Sequence, residues 1–216
     1  MSPNKRIFLN IVATYGRSVF SLVCGLFISR WVLASLGKVD FGLYGVVGGL
    51  AVFVTFINQL LSQATARFYA FSVGRAKVCE EKGLEECRQW FNTALLIHTV
   101  VPCLLIAIGY PLGVYAVEHW LTIPAERLSA CVWVFRYVCI SCFVGMINAP
   151  FQAMYTAKQE IAELTIYSFA QTIANVFFMY FMVTHPGDWL SKYALWMCAV
   201  SVIPQVIICV RALVVY

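Results

Sequence analysis

The chain has 216 residues, of which 62% are hydrophobic and only 12% are charged. Soluble domains are about 45–50% apolar and about 25% charged, so this composition excludes an ordinary soluble protein and indicates an integral membrane protein. The net charge of +5 comes from basic residues spread over short loops and helix ends. They form no stripe or arm, so we expect no nucleic-acid partner.

Six hydrophobic segments each contain the about 20 residues that cross a bilayer core. The sequence therefore predicts an all-α fold, a single bundle of six transmembrane helices over residues 1–216. The predicted segments are Ile7–Leu36, Phe41–Ser72, Trp90–Val117, Leu128–Tyr155, Ile161–Val183 and Ser191–Tyr216. The connections are too short to contain a soluble catalytic domain. The first run is too long for the apolar part of a signal peptide, and we expect none.

The lysines and arginines outside the segments are unevenly distributed. With a cytoplasmic amino terminus, eight lie on the inner side and three on the outer side, which are Lys38, Arg127 and Lys192. The positive-inside rule then places both chain ends in the cytoplasm. Cys79 and Cys87 would lie on the inner side with them.

Two local patterns occur next to and within the second segment. The charged stretch Gly74–Gln89 is typical either of a short amphipathic helix on the inner membrane surface or of a solvated loop. Gly45 and Gly49 form a G-x-x-x-G pair, which predicts close packing against another helix.

The first segment carries an arginine in an otherwise apolar region. With about 100 degrees of rotation per residue, one sector of about 80 degrees holds Asn10, Thr14, Arg17, Ser21 and Cys24. An arginine at the bilayer centre costs about 3 kcal/mol, and about a dozen large apolar residues outweigh that cost. No acidic residue lies deep in any segment to pair with Arg17. We therefore expect Arg17 to face protein or water and to receive an anion from outside the chain.

Two further segments show related patterns. In the second, a similar sector contains Thr55, Asn58, Ser62 and Thr65, for which interhelical hydrogen bonding is the alternative to a functional role. The fourth contains Arg136, a second intramembrane cation to which the same reasoning applies.

The chain lacks the motifs of soluble enzymes, including G-x-S-x-G, H-E-x-x-H and a phosphate-binding glycine loop. Cys139 and Cys142 form a C-x-x-C within an apolar run, where helix packing is a better explanation than a redox or zinc site. We therefore expect no enzymatic activity, no cofactor and no metal.

Several stretches together resemble a known family. The first is "FISRWVLASLGKVDFGLYGVVGGL", which is followed by "FINQLLSQATARFYAFSVGR". With the later "LTIPAERLSACVWVFRYV" and "NAPFQAMYTAKQE", they resemble the amino-terminal half of bacterial polysaccharide-biosynthesis membrane proteins. These are the O-antigen and capsule repeat-unit flippases of the multidrug/oligosaccharidyl-lipid/polysaccharide superfamily. The resemblance extends from Asn10 to about Glu163.

The resemblance implies a function and a site. Flippases of this family have two related helix bundles around a central cavity. They move undecaprenyl-diphosphate-linked oligosaccharide across the cytoplasmic membrane for lipopolysaccharide or capsule synthesis. By resemblance, Arg17 and Arg136 would receive the diphosphate, and Asn58, Ser62 and Arg67 would line the path. The expected partners are the lipid-linked oligosaccharide and membrane lipids. A chain of one bundle would also need a second lobe or a second copy, and this sequence looks like a partial or truncated transporter.

Three alternatives stay open at this point. A multidrug–cation antiporter of the same superfamily usually contains an intramembrane carboxylate, which the sequence lacks. A membrane glycosyltransferase or polymerase would ordinarily need a large loop or an acidic catalytic residue. An inactive fragment is the third alternative.

Overall fold

A computed structural model describes residues 3–76, 80–158, 161–185 and 187–215. These residues form helices joined by short connections, and no strand occurs among them. The helices are α1 (Pro3–Gly49), α2 (Val52–Ala76), α3 (Glu80–His119), α4 (Ala125–Ala157), α5 (Ile161–Thr184) and α6 (Leu190–Val215). The predicted all-α class is confirmed in this part of the chain.

Within the described residues, five helices are long and apolar enough to cross a membrane, so a count of six is not confirmed. The helix left out is α2, whose polar residues lower its hydropathy. Four of the five stretches lie in α3, α4, α5 and α6. The fifth is Thr14–Gly49, which continues across a non-helical residue, Gly37.

The predicted boundaries need correction at three places. The turn expected after Leu36 is confined to Gly37. The chain is helical again after Gly37, up to Gly49. The second predicted segment is interrupted at Leu50–Ala51 between α1 and α2. The third begins at Glu80, so most of the predicted surface helix or loop at Gly74–Gln89 belongs to α2 and α3. Cys79 and Tyr216 lie outside the described residues.

The expected close packing at Gly45 and Gly49 is wrong within the described part of the chain. No other described atom lies within 4 Å of the place where a Cβ would stand at either glycine. Both residues are exposed because the buried face of this part of α1 is the one that carries Val47.

Contacts between the helices show their relative directions. Thr65 contacts His98 and Phe68 stacks on Trp90, which makes α2 and α3 antiparallel. Contacts of Arg127 with Asp188 and of Cys209 with Asn148 make α4 and α6 parallel. In the same way the part of α1 before the kink at Gly37 is parallel to α5, with Arg17 beside Ser168 and Trp31 beside Tyr180. Helix α4 is central, because α2, α3 and α6 all pack extensively on it.

The bundle has two ends that differ in charge. At one end, which we call the Arg127 end, the Arg127 guanidinium forms ion pairs with Asp40 at 3.2 Å and with Asp188 at 2.8 Å. Asp40 is buried, so Arg127 joins α1, α4 and the connection before α6. At the other end, the Arg88 end, α2, α4 and α6 finish and α3 and α5 begin. Its cations in the described residues include Arg75, Arg88, Lys158 and Arg211.

Candidate functional site

Arg17, which belongs to the polar sector of α1, contacts α5. Arg17 is half-buried there, and its Nη1 donates a hydrogen bond to Oγ of Ser168 at 3.2 Å. Phe20 and Phe169 pack beside this bond with ring centroids 5.0 Å apart. The opposite face of α1 is apolar and exposed, and Leu22 keeps 68% of its surface. Arg17 therefore faces protein, which is one of the two environments predicted for it, protein or water.

Arg17 has a neutral partner instead of an acidic one. Among the described residues, the ion pairs join Arg75 to Glu86, Arg127 to Asp40 and Asp188, and Arg211 to Glu163, and none involves Arg17. A guanidinium carries five N–H donors. The hydroxyl of Ser168 satisfies one of them, so Arg17 retains donors for an oxyanion.

Arg136 lies in a different part of the bundle, between α3 and α4. Its Nε donates to Oη of Tyr110 at 2.9 Å, and its Cζ lies 4.7 Å from the ring centroid of Trp133. Both contacts stabilise a cation without neutralising its charge. Arg136 therefore resembles Arg17 in its chemistry, a half-buried arginine held by a hydroxyl group.

A polar cavity of about 200 Å³ lies between α2, α4 and α6. Asn58 and Thr55 contribute to it from α2, Ser141 and Cys142 from α4, and Ser201 from α6. Hydroxyl and amide groups on three helices thus surround one space within the bundle. Such groups can bind water or the hydroxyl groups of a ligand.

Ser62 and Arg67 do not reach this polar cavity. The Ser62 hydroxyl donates to the backbone oxygen of Asn58 at 2.7 Å, which is a bond within its own helix. Arg67 is exposed on α2, near the Arg88 end. The five residues predicted for the site are therefore distributed over separate places, and the structure does not bring them together in one cavity.

Two other polar residues with buried side-chain atoms, one on α4 and one on α6, were not among the five site residues predicted from the sequence. Asn148 is completely buried, and its Nδ2 has no hydrogen-bond partner within the described chain. Gln205 donates to Ser201 Oγ at 3.4 Å, and its Oε1 is likewise buried and unpaired there. For Gln205 the available signal was its i, i+4 spacing from Ser201, which places both residues on one face of α6. That spacing does not tell which helix this face meets.

Comparisons with known proteins leave the family unassigned: no family model, no curated protein and no solved structure matches this chain.

Proposed function

We propose that the chain is one lobe of a flippase that moves undecaprenyl-diphosphate-linked oligosaccharide across the bacterial cytoplasmic membrane. The observation that carries the proposal is Arg17, a cation in an apolar helix whose partner in the described chain is a hydroxyl group. An intramembrane cation without an acidic partner is suited to an anionic substrate. The sequence stretches that resemble the flippase family favour the same substrate class.

The proposal includes six membrane-spanning segments with a cytoplasmic amino terminus. The alternating helix directions support it, because α2 runs parallel to α4 and antiparallel to α3. Helix α2 would then span the membrane despite its polar residues, most of which face α3, α4 or its own backbone. The cations at the Arg88 end support placing that end in the cytoplasm.

In this proposal the two arginines and the polar cavity have different roles. Arg17 and Arg136 bind phosphate oxygens through the guanidinium donors that their hydroxyl partners leave unused, in hydrogen bonds between two ionised groups. Asn58 and the serines of the polar cavity accept sugar hydroxyl groups. Alternating access requires a second bundle, so a second lobe or a second copy completes the transporter.

Substitution of Arg17 tests the proposal in cells whose surface polysaccharide depends on this protein. Arg17→Ala should nearly abolish export per inserted molecule, and Arg17→Lys should retain part of it, because lysine keeps the charge but loses the planar fork. Insertion of Arg17→Ala should not suffer, since this change removes a cost of about 3 kcal/mol, and insertion of Arg17→Lys should be unchanged because lysine has a similar cost. The measurement is exported polysaccharide normalised to membrane-inserted protein.

The matched control is Arg30→Ala, which removes an exposed arginine from the same helix. It should leave export unchanged. If Arg17 serves only to pair with Ser168, Arg17→Ala should lower protein abundance and thermal stability, and export would fall only in proportion. Normal export per inserted molecule in Arg17→Ala would contradict the proposal.

A further inference from the structure

A cavity of about 570 Å³ lies at the Arg88 end, between the last turns of α2, α4 and α6 and the first part of α3. We propose that this space, the Arg88 cavity, binds the phosphate headgroup of an anionic membrane lipid. The polar and charged residues of its wall are Tyr69, Cys87, Arg88, Asn92 and Lys158.

The charge of the wall favours an anion. Arg88 and Lys158 are its charged residues, and both are cations. Arg88 is exposed and forms no ion pair with a described carboxylate. On the neighbouring turns of α3, Glu86 is bound to Arg75 at 2.7 Å and Glu85 accepts a hydrogen bond from Gln89 at 3.2 Å. These carboxylates have their own partners, so the guanidinium of Arg88 is available to a ligand.

Tyr69 supplies a second observation that points to a ligand. Its side chain lines the Arg88 cavity and is only 3% exposed. Its hydroxyl group is buried and has no hydrogen-bond partner in the part of the chain that the structure describes. A buried hydroxyl without a partner is unfavourable. A phosphate oxygen, or a water held by one, would supply the missing acceptor.

The rest of the wall favours a lipid over free phosphate. It is apolar, and Phe91 and Phe151 pack edge to face at 5.3 Å within it. The Arg88 cavity also lies at the end of the bundle where α2, α4 and α6 finish and α3 begins, which in an inserted bundle is the level of the lipid headgroups. Basic pockets between transmembrane helices at this level are suited to phospholipid headgroups. This inference requires membrane insertion but does not depend on the flippase activity.

Lipid binding to the purified full-length chain tests the proposal. In detergent, native mass spectrometry should detect one bound phosphatidylglycerol at concentrations where phosphatidylcholine does not bind. Arg88→Gln should weaken this binding about tenfold, the effect of losing one charge-assisted hydrogen bond. Lys82→Gln is the matched control, because Lys82 is an exposed cation of α3 outside the cavity wall. It should change the affinity by less than about twofold, because salt screens the charge of an exposed lysine outside the cavity.

The variant Tyr69→Phe tests whether the hydroxyl group of Tyr69 binds the lipid or only stabilises the fold. It should weaken phosphatidylglycerol binding about threefold to tenfold through the loss of one hydrogen bond. In lipid-free detergent its melting temperature should be unchanged or higher, because the hydroxyl has no partner to lose. Three results would each overturn the proposal: equal binding of phosphatidylcholine, equal weakening by Lys82→Gln, or displacement of the lipid by inorganic phosphate at similar concentration.

Discussion

Gly113 of α3 is the described glycine whose Cβ position is the most crowded. A Cβ added there would overlap with the ring of Phe135, which is itself buried. The same ring stacks on Tyr110 at a centroid distance of 6.0 Å, and Tyr110 accepts the hydrogen bond from Arg136. The absence of a side chain at position 113 therefore leaves room for Phe135, which stacks on the tyrosine that binds Arg136.

We expect Gly113→Ala to destabilise the protein by about 1–3 kcal/mol, because the added methyl group forces Phe135 to move. Gly109→Ala is the control on the same helix, since a Cβ there meets no other atom within 4 Å. Alanine is the better helix former, so this control should be neutral or slightly stabilising. Thermal unfolding in detergent measures both effects. Equal melting temperatures for the two variants would contradict the close contact.

Periodicity within one helix predicts the orientation of a side chain but not its partner. The polar sector around Arg17 was enough to predict that this face meets protein or water instead of lipid. Nothing in the first helix indicates that the partner is Ser168, because the pairing of α1 with α5 depends on how the whole bundle assembles. For the same reason Asn58 was found from its own helix, whereas Ser201 and Gln205 on α6 were missed.

At the scale of the elements, Gly37 determines the shape of α1. Its φ of 75° and ψ of 172° lie in a region that is essentially restricted to glycine. The sequence indicated a turn here through glycine and the charged residues that follow it. It could not indicate that the break in the helix would be limited to one residue. Lys38 and Asp40 are helical in the structure, where Asp40 is paired with Arg127.

Gly37→Ala should therefore lower stability by about 1–3 kcal/mol, through backbone strain and without any steric clash. Position 37 has no other atom within 4 Å of a built Cβ, which separates the two causes. Gly42→Ala serves as the control, because position 42 is equally open but helical. In thermal unfolding, the melting temperature of Gly37→Ala should be well below that of Gly42→Ala. A similar melting temperature for both would show that the break does not need glycine.

Helix α2 shows why the six-segment prediction was only partly confirmed. Its hydroxyl groups bond back to its own backbone, as Thr55 does to Ala51 and Thr65 to Leu61. These bonds satisfy polar groups without a neighbouring helix. Composition alone does not show that these hydroxyl groups are hydrogen-bonded within the helix. By hydropathy, α2 is therefore not among the helices that are apolar enough to cross a membrane.

For the molecule as a whole, the orientation in the membrane gives a direct prediction. Glu126 lies at the Arg127 end and Cys87 at the Arg88 end. In intact cells, a membrane-impermeant maleimide should label the variant Glu126→Cys and should not label Cys87, which would react only after permeabilisation. Peptide mass spectrometry distinguishes the two sites. Labelling of Cys87 alone in intact cells would reverse the proposed orientation.

The bond between Arg17 and Ser168 also has a consequence for biosynthesis. Its two residues are 151 positions apart, so the ribosome makes α1 long before α5. During that interval Arg17 has no access to the hydroxyl of Ser168, and α1 must enter the membrane on the strength of its own apolar residues. Asp40 and Arg127 likewise exist before Asp188 has been translated. The contact of α1 with α5 and the ion pair of Arg127 with Asp188 can therefore form only after the last part of the chain has been synthesised.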